Sequence, residues 1–368
     1  MSRLIRLTSS EAERWCKLIG KPLSHYTSLK DGRYRLRVDA EFATVILEER
    51  SGSRISPEIT ENVDKERLAE LEQMFSMKNT NVQIYDILPK PHEHHESTAI
   101  CLLSDVHIEE TVSKEAVLGL NEYNTEIAKI RIDNFFRSSA KLITHAQRSY
   151  NMPSVVLGVL GDMISGYIHE ELMQTNGLTP LEAVGLVKSC LLSGLKYWND
   201  NLKVDKITVV MVVGNHARTT QKSQFGNASK MNYEYFLYKD IQEICALLGY
   251  KKINFIIPEA EIAVVNIYGK RILFTHGTHI RGGNGVGGIA VPLSRWFNRI
   301  ARSLNIDYAM LGHFHQSIFN KQFMVNGSVI GYNSFAMGCG CECEVAQQTM
   351  AILDEKRGFT AYQSIYLD

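Results

Sequence analysis

Beyond residue 98 the chain alternates short apolar runs with polar or glycine-bearing turns. The runs are "TAICLLS", "PSVVLGVL", "ITVVMVV", "IAVVNI", "RILFT", "DYAML" and "TMAIL". Continuous apolar runs of this length suit strands buried on both faces. Helix-compatible segments lie between the first few, so the pattern predicts an α/β layered domain. Before residue 98 the rhythm differs. "SSEAERWCKLIG" (9–20) has a serine N-cap, a glutamate three residues later and a following glycine, which predicts a short helix. "RYRLRVDAEFATVILEE" alternates and is rich in β-formers, predicting one or two strands. "SPEITENVDKERLAELEQMF" (56–75) has apolar spacing near 3.6 and predicts a helix. "LPKPHEHHEST" (88–98) carries two prolines and breaks the pattern. The boundary is placed there, giving a small α+β accessory domain over 1–95 and an α/β domain over 96–368.

Composition narrows the class. The 368 residues hold 40 basic and 40 acidic side chains, so no overall charge selects a partner. A hydrophobic content of 45% is ordinary for a globular protein with a real core. Locally, residues 1–37 carry nine Lys/Arg against three acids, and residues 38–75 carry ten acids against four bases. This reads either as a basic head before an acidic segment or as two solvated faces of one small domain. No apolar stretch approaches the roughly 20 residues of a membrane helix. The N-terminal stretch lacks the apolar centre of a signal peptide. The expectation is a cytoplasmic protein with no membrane contact. Seven cysteines without a repeating framework suit reduced thiols.

The ends of the runs carry the chemistry. "LLSDVH" delivers Asp105 and His107, "GVLGD" delivers Asp162, and "MVVGNH" delivers Asn215 and His216. "LFTHG" delivers His276, and "MLGHFH" delivers His313 and His315. In open α/β sheets, ligands sit beyond the carboxyl ends of strands. Carboxylate, imidazole and carboxamide donors suit manganese, iron or zinc, and less readily calcium. Eight such groups exceed one closed tetrahedral site. They suit two metals sharing a bridging carboxylate, with positions left for water and substrate. Asp162, at the centre of the series, is the candidate bridge. With the strand's side chains alternating, Asp105 and His107 point the same way, so both reach one ion just past the sheet.

The five blocks D-x-H, G-D, G-N-H, H-G and G-H-x-H, in that order over residues 99–315, resemble the calcineurin-like metallophosphoesterase superfamily. The resemblance implies a two-sheet sandwich flanked by helices. It also implies two divalent ions, manganese foremost with zinc, iron or magnesium as alternatives, about 3.5–4 Å apart. Asp105, His107 and His315 would hold the first ion, and Asn215, His276 and His313 the second. Asp162 would bridge them, and His216 would face the leaving oxygen. Asp162 and His216 are therefore the catalytic candidates. The reaction implied is phosphoester hydrolysis by metal-activated water. "NIDYAMLGHFH" is similar to the corresponding stretch of SbcD-type DNA repair exonucleases. That similarity implies a DNA exo- or endonuclease and an ATPase partner; a homo-oligomer is a separate option that the sequence leaves open. A phosphomonoesterase or cyclic-nucleotide phosphodiesterase on the same scaffold is the alternative. An inactive scaffold is a third reading, opposed by the presence of every expected ligand. One departure stands out: many members have an acid after Gly-Asn-His, whereas this chain has Ala217 and Arg218.

Flanking residues offer substrate contacts or ordinary surface. Arg218 could meet phosphate with its planar guanidinium, or could be a helix-start surface residue. Five glycines from Gly282 to Gly288 lead toward Arg295, Arg299 and Arg302, spaced on one helical face beside Trp296 and Phe297. That face suits a polyanion, or a solvated amphipathic helix with its aromatics turned inward. The 217–240 stretch carries Lys222, Lys230, Tyr233, Tyr235 and Phe236, which could stack bases or pack on the sheet. "HEHHE" (92–96) could bind metal, "CGCEC" (339–343) could serve metal or redox use, and His279 could support His276; they read more simply as solvated linker, small-residue packing and a loop histidine.

Overall fold

The protein is described from a computed structural model covering residues 3–8, 10–14, 27–28, 34–38, 95–222, 224, 226–280, 288–338 and 343–368. The chain divides into two compact units, Met1–Pro89 and Lys90–Asp368. In the first, β1 (Arg3–Leu7), β2 (Thr27–Ser28) and β3 (Tyr34–Val38) form an antiparallel sheet in the order β1-β3-β2. Residues 10–14 are helical. The cap is Thr8 rather than a serine. Its amide donates to the Glu11 carboxylate at 2.7 Å, and its hydroxyl accepts from Glu11 N–H at 3.4 Å. The chain leaves β1 at Leu7, so Thr8 is the first residue free to turn and Glu11 falls three positions later. The helix expected over 56–75 and His92 to His94 lie outside the described residues.

The second unit contains two sheets. One is six-stranded, ordered β14-β13-β4-β5-β6-β7. It comprises β4 (Glu96–Leu103), β5 (Asn151–Val159), β6 (Lys206–Met211), β7 (Ile253–Ile256), β13 (Gln347–Asp354) and β14 (Gly358–Tyr366). Strands β4 to β7 run parallel, whereas β13 and β14 are antiparallel additions. The other sheet is five-stranded, ordered β11-β12-β10-β9-β8. It comprises β8 (Ile262–Ile267), β9 (Lys270–Thr275), β10 (Tyr308–Leu311), β11 (Ile318–Phe319) and β12 (Phe323–Val325).

Why the runs are continuously apolar is visible in the packing. Ile100 and Leu102 of β4 face Ile272 and Phe274 of β9 and Met310 of β10 between the sheets. Ala99, Cys101 and Leu103 of the same strand point the other way. They meet helices α1 (Thr125–Ala146), α2 (Pro180–Asn201) and α3 (Tyr233–Leu247). The outer face of the second sheet packs Leu273, Leu311 and Phe323 against Leu293 and Phe297 of α4 (Ala290–Leu304). The unit is therefore a mixed α/β sandwich, two sheets flanked by helices. No helix among the described residues is long and apolar enough to cross a membrane.

Helices α1 and α2 meet closely enough to test. A Cβ at Gly194 would lie 2.1 Å from the Phe136 ring. Gly194→Ala is expected to destabilise the fold by about 1–3 kcal/mol through overpacking. An unchanged urea midpoint would contradict this packing.

Candidate metal centre

Each sequence block lies just beyond a strand. β4 ends at Leu103, followed by Asp105 and His107; β5 leads to Asp162, and β6 to Asn215 and His216. β9 leads to His276, and β10 to His313 and His315. Strand alternation does not orient Asp105 and His107. Both lie past the strand end, with φ of 53° and 49°. Asp162, His313 and His315 also have positive φ, at 52°, 73° and 54°. Left-handed backbone costs a non-glycine residue on the order of 1 kcal/mol or more, and such strain clusters at functional sites. Here it turns side chains inward that regular strands would splay apart.

Three overlapping groups result: Asp105–His107–His315, His107–Asp162–His216 and Asp162–His276–His313. Within each, one ligand atom per residue lies within 4.8 Å of the others. Asp105 is 0% exposed, Asp162 and His276 are each 1% exposed, and His107 is 2% exposed. His276 Nε2 lies 2.8 Å from Asp162 Oδ2 and 3.2 Å from His313 Nδ1. His315 Nε2 lies 3.3 Å from Asp105 Oδ1. The main-chain N–H of His216 donates to Asp162 Oδ1 at 2.8 Å, and that of His313 donates to Asp105 at 3.1 Å. Asn215 follows Gly214 beyond β6, and two neighbours bind it. Thr278 Oγ1 donates to its Oδ1 at 3.4 Å, and Arg218 donates to its carbonyl at 2.8 Å.

The hydrogen bonds also orient the rings. His276 Nδ1 faces the Leu160 carbonyl at 2.7 Å, so Nδ1 keeps a proton and Nε2 offers its lone pair once the ring is neutral. His216 Nδ1 faces the Ser165 carbonyl at 3.2 Å, with the same consequence. A backbone carbonyl, not a carboxylate, therefore orients His216. Ser165 Oγ donates to Glu110 at 3.1 Å and can accept from His107 Nδ1 at 2.9 Å. That leaves His107 Nε2, buried and without a hydrogen-bond partner. An orphaned imidazole nitrogen beside converging carboxylates and lone pairs is what a divalent cation would satisfy. The donor set fits.

Titration behaviour follows from this crowding. Burial alone would raise Asp162; the charges of His276 and His216 outweigh it and hold the carboxyl well below its usual range. Burial would lower His276, but Asp162 and Asp105 lift it from 6.5 to about 9. Burial, aided by His276, drops His313 to about 4. Burial and the nearby His216 hold His107 well below 6.5.

Sequence reasoning did not find Ser165 or Glu109. Glu109 is buried and accepts from the Ser165 and Gly166 amides at 2.9 and 2.8 Å. Neither residue stands in a motif block; their roles arise only once two loops meet. Ser165→Ala is expected to lower metal affinity about 10-fold by freeing the His107 ring, since such supporting bonds are worth about 10–100-fold. Calorimetric titration with manganese checks this, and wild-type affinity would contradict it.

The flanking candidates divide. Arg218 spends its guanidinium on the carbonyls of Asn215, Thr220 and Gln221, at 2.8, 3.1 and 3.3 Å. Arg295 and Arg299 are exposed on α4 and form no ion pair with a described residue. Phe297 is buried and Trp296 half-buried beneath them. Tyr233 and Tyr235 pack against the core, whereas Phe236 is exposed. His279 Nε2 lies 2.7 Å from Glu261. Asp307 accepts the Arg271 amide at 2.8 Å, and Tyr308 packs edge-on against Phe359. The Asp-Tyr pair of "NIDYAMLGHFH" thus serves strand packing. Residues 281–287 and 339–342 lie outside the described residues.

No family model matches the chain, and no curated protein matches it in sequence. Solved structures with related shape include vacuolar protein sorting 29 of Cryptosporidium parvum, at 12% identity and a TM-score of 0.29, covering 73% of this chain and 98% of that one. A dimetal phosphatase of Danio rerio aligns at 12% identity and a TM-score of 0.31, covering 74% and 99%. A hypothetical protein of Pyrococcus horikoshii aligns at 9% identity and a TM-score of 0.36, covering 74% and 89%. Likenesses this slight say nothing about activity, which rests on the geometry of the site itself.

Proposed function

We propose that the protein is a two-metal phosphoesterase of the calcineurin-like type that hydrolyses nucleic acid, DNA foremost. The observation that supports the reading is the overlap of the three ligand groups, with Asp162 common to two of them. Asp105, His107 and His315 would hold one ion, and Asn215, His276 and His313 the other, with Asp162 serving both. The bound pair supplies charge neutralisation at the phosphoryl oxygens and a water acidic enough to ionise near neutral pH. The chain's own residues do the rest. His216, its Nδ1 tied to Ser165, presents Nε2 to the leaving oxygen. Arg218 holds Asn215 in place. Arg295 and Arg299, exposed on α4 and without an ion pair among the described residues, favour a polyanionic substrate and a partner of that class.

The test is cleavage of linear and circular DNA, and of a phosphomonoester, with manganese, zinc, iron or magnesium supplied singly. The expected result is manganese-dependent DNA cleavage. Rapid phosphomonoester turnover without cleavage of any DNA form would replace the nuclease reading with a phosphatase. No turnover with any metal would end both.

A further inference from the structure

Glu234, in the first turn of α3, is 0% exposed and forms no ion pair with a described residue. A carboxylate is almost never buried in this way without a specific partner. Two backbone amides bind it. Oε1 accepts from Met163 N–H at 2.6 Å, and Oε2 accepts from Gly214 N–H at 2.7 Å. Met163 follows Asp162, and Gly214 precedes Asn215. One side chain therefore grips the loops after β5 and β6, each beside a candidate ligand.

The grip is itself held. Asn232 caps α3, its Oδ1 accepting from Glu234 N–H at 2.9 Å, while its Nδ2 donates to the Gly214 carbonyl at 2.8 Å. The clamped loops touch without slack. A Cβ at Gly214 would lie 2.0 Å from Asp162 Oδ1. The geometry points to Glu234 as the positioning residue that sets the spacing between Asp162 and Asn215, and so builds the second of the two cation sites. This rests on the two-metal reading above. The first site is fixed by other bonds: Ser165 to His107, and the His313 and Val329 amides to Asp105. Asp162 serves both ions, but Asn215 serves the second alone, so loss of Glu234 should weaken the second ion more than the first.

The experiment is calorimetric titration of the full chain with manganese alone, with electron paramagnetic resonance reporting single against coupled ions. Wild type is expected to bind two. Glu234→Gln keeps the shape but turns one amide group against a backbone N–H. It should leave the first ion within about threefold and weaken the second about 10–100-fold, the usual size of a supporting-bond loss. Asn232→Ala, which unpins Glu234 without removing it, should give the same selective loss in smaller measure and carries the test if Glu234→Gln does not fold. Equal weakening of both ions, or wild-type affinity for both, overturns the inference. Wild-type protein binding fewer than two ions overturns the two-metal reading itself, and the inference with it.

Discussion

Replacing Asp162 by asparagine is expected to reduce phosphoester hydrolysis by about a thousandfold or more. Charge neutralisation of this kind contributes several kcal/mol to the transition state, and each 1.4 kcal/mol is about tenfold in rate. Asp162 stands where the groups overlap: Oδ1 accepts from His216 N–H, and Oδ2 meets His276 Nε2. Asparagine is the informative replacement, because it tolerates the left-handed backbone that Asp162 adopts at φ 52°. The loops therefore remain, including the bonds from the Val106 and His107 amides to the Asp162 carbonyl. What is lost is one anionic oxygen. His315→Ala is the comparison. His315 keeps 24% of its side chain exposed and belongs to one group only, so its loss should cost about 10–100-fold. Steady-state turnover of both variants decides. An Asp162→Asn variant retaining a tenth of wild-type activity would contradict the central role of this residue.

Without metal, the protein is expected to lose stability as pH rises from about 6.5 to about 9. Burial opposes the charge of His276, but Asp162 and Asp105 lift its pKa to about 9 from 6.5. A raised pKa stabilises the fold fully below the unfolded value, and that contribution disappears as pH passes the folded value. The shift corresponds to on the order of 3 kcal/mol. His315 is raised by Asp105 against its burial, and burial raises Glu234 to about 8, so both act in the same direction. The lowered groups do not oppose this: His313, dropped to about 4, has completed its effect by pH 6.5. Manganese should reverse the trend, because binding requires His276 without its Nε2 proton. Chemical denaturation across this pH range, with chelator and with manganese, separates the two. Metal-free stability that stays level or climbs between pH 6.5 and 9 would contradict the electrostatics of the site.

The seven apolar runs are all strands, because β4 to β6 are sandwiched between helices and a second sheet and so need apolar residues on both faces. β14 was not legible for the opposite reason. Among the described residues it is an edge strand paired with β13 alone, and its alternating exposure dilutes any apolar run. β7 and β12, four and three residues long, are too short to show a period. The ligand set was legible as residue types after strands, since the chain must turn there. Its geometry was not: strand alternation breaks down past Leu103, and left-handed turns at Asp105 and His107 take over. Ser165, Glu109 and Glu234 could not be read from sequence, because each acts on a loop distant in the chain. Asp307 and Tyr308, read as a sign of substrate, serve the contact of β10 with its neighbours.

The most direct test is an anomalous-difference map from crystals grown with manganese. Two peaks are expected within coordination distance of Asp162, one also reached by Asp105, His107 and His315, the other by Asn215, His276 and His313. A well-ordered crystal with no peak at Asp162, or with a single ion that leaves either set of ligands empty, would contradict the account.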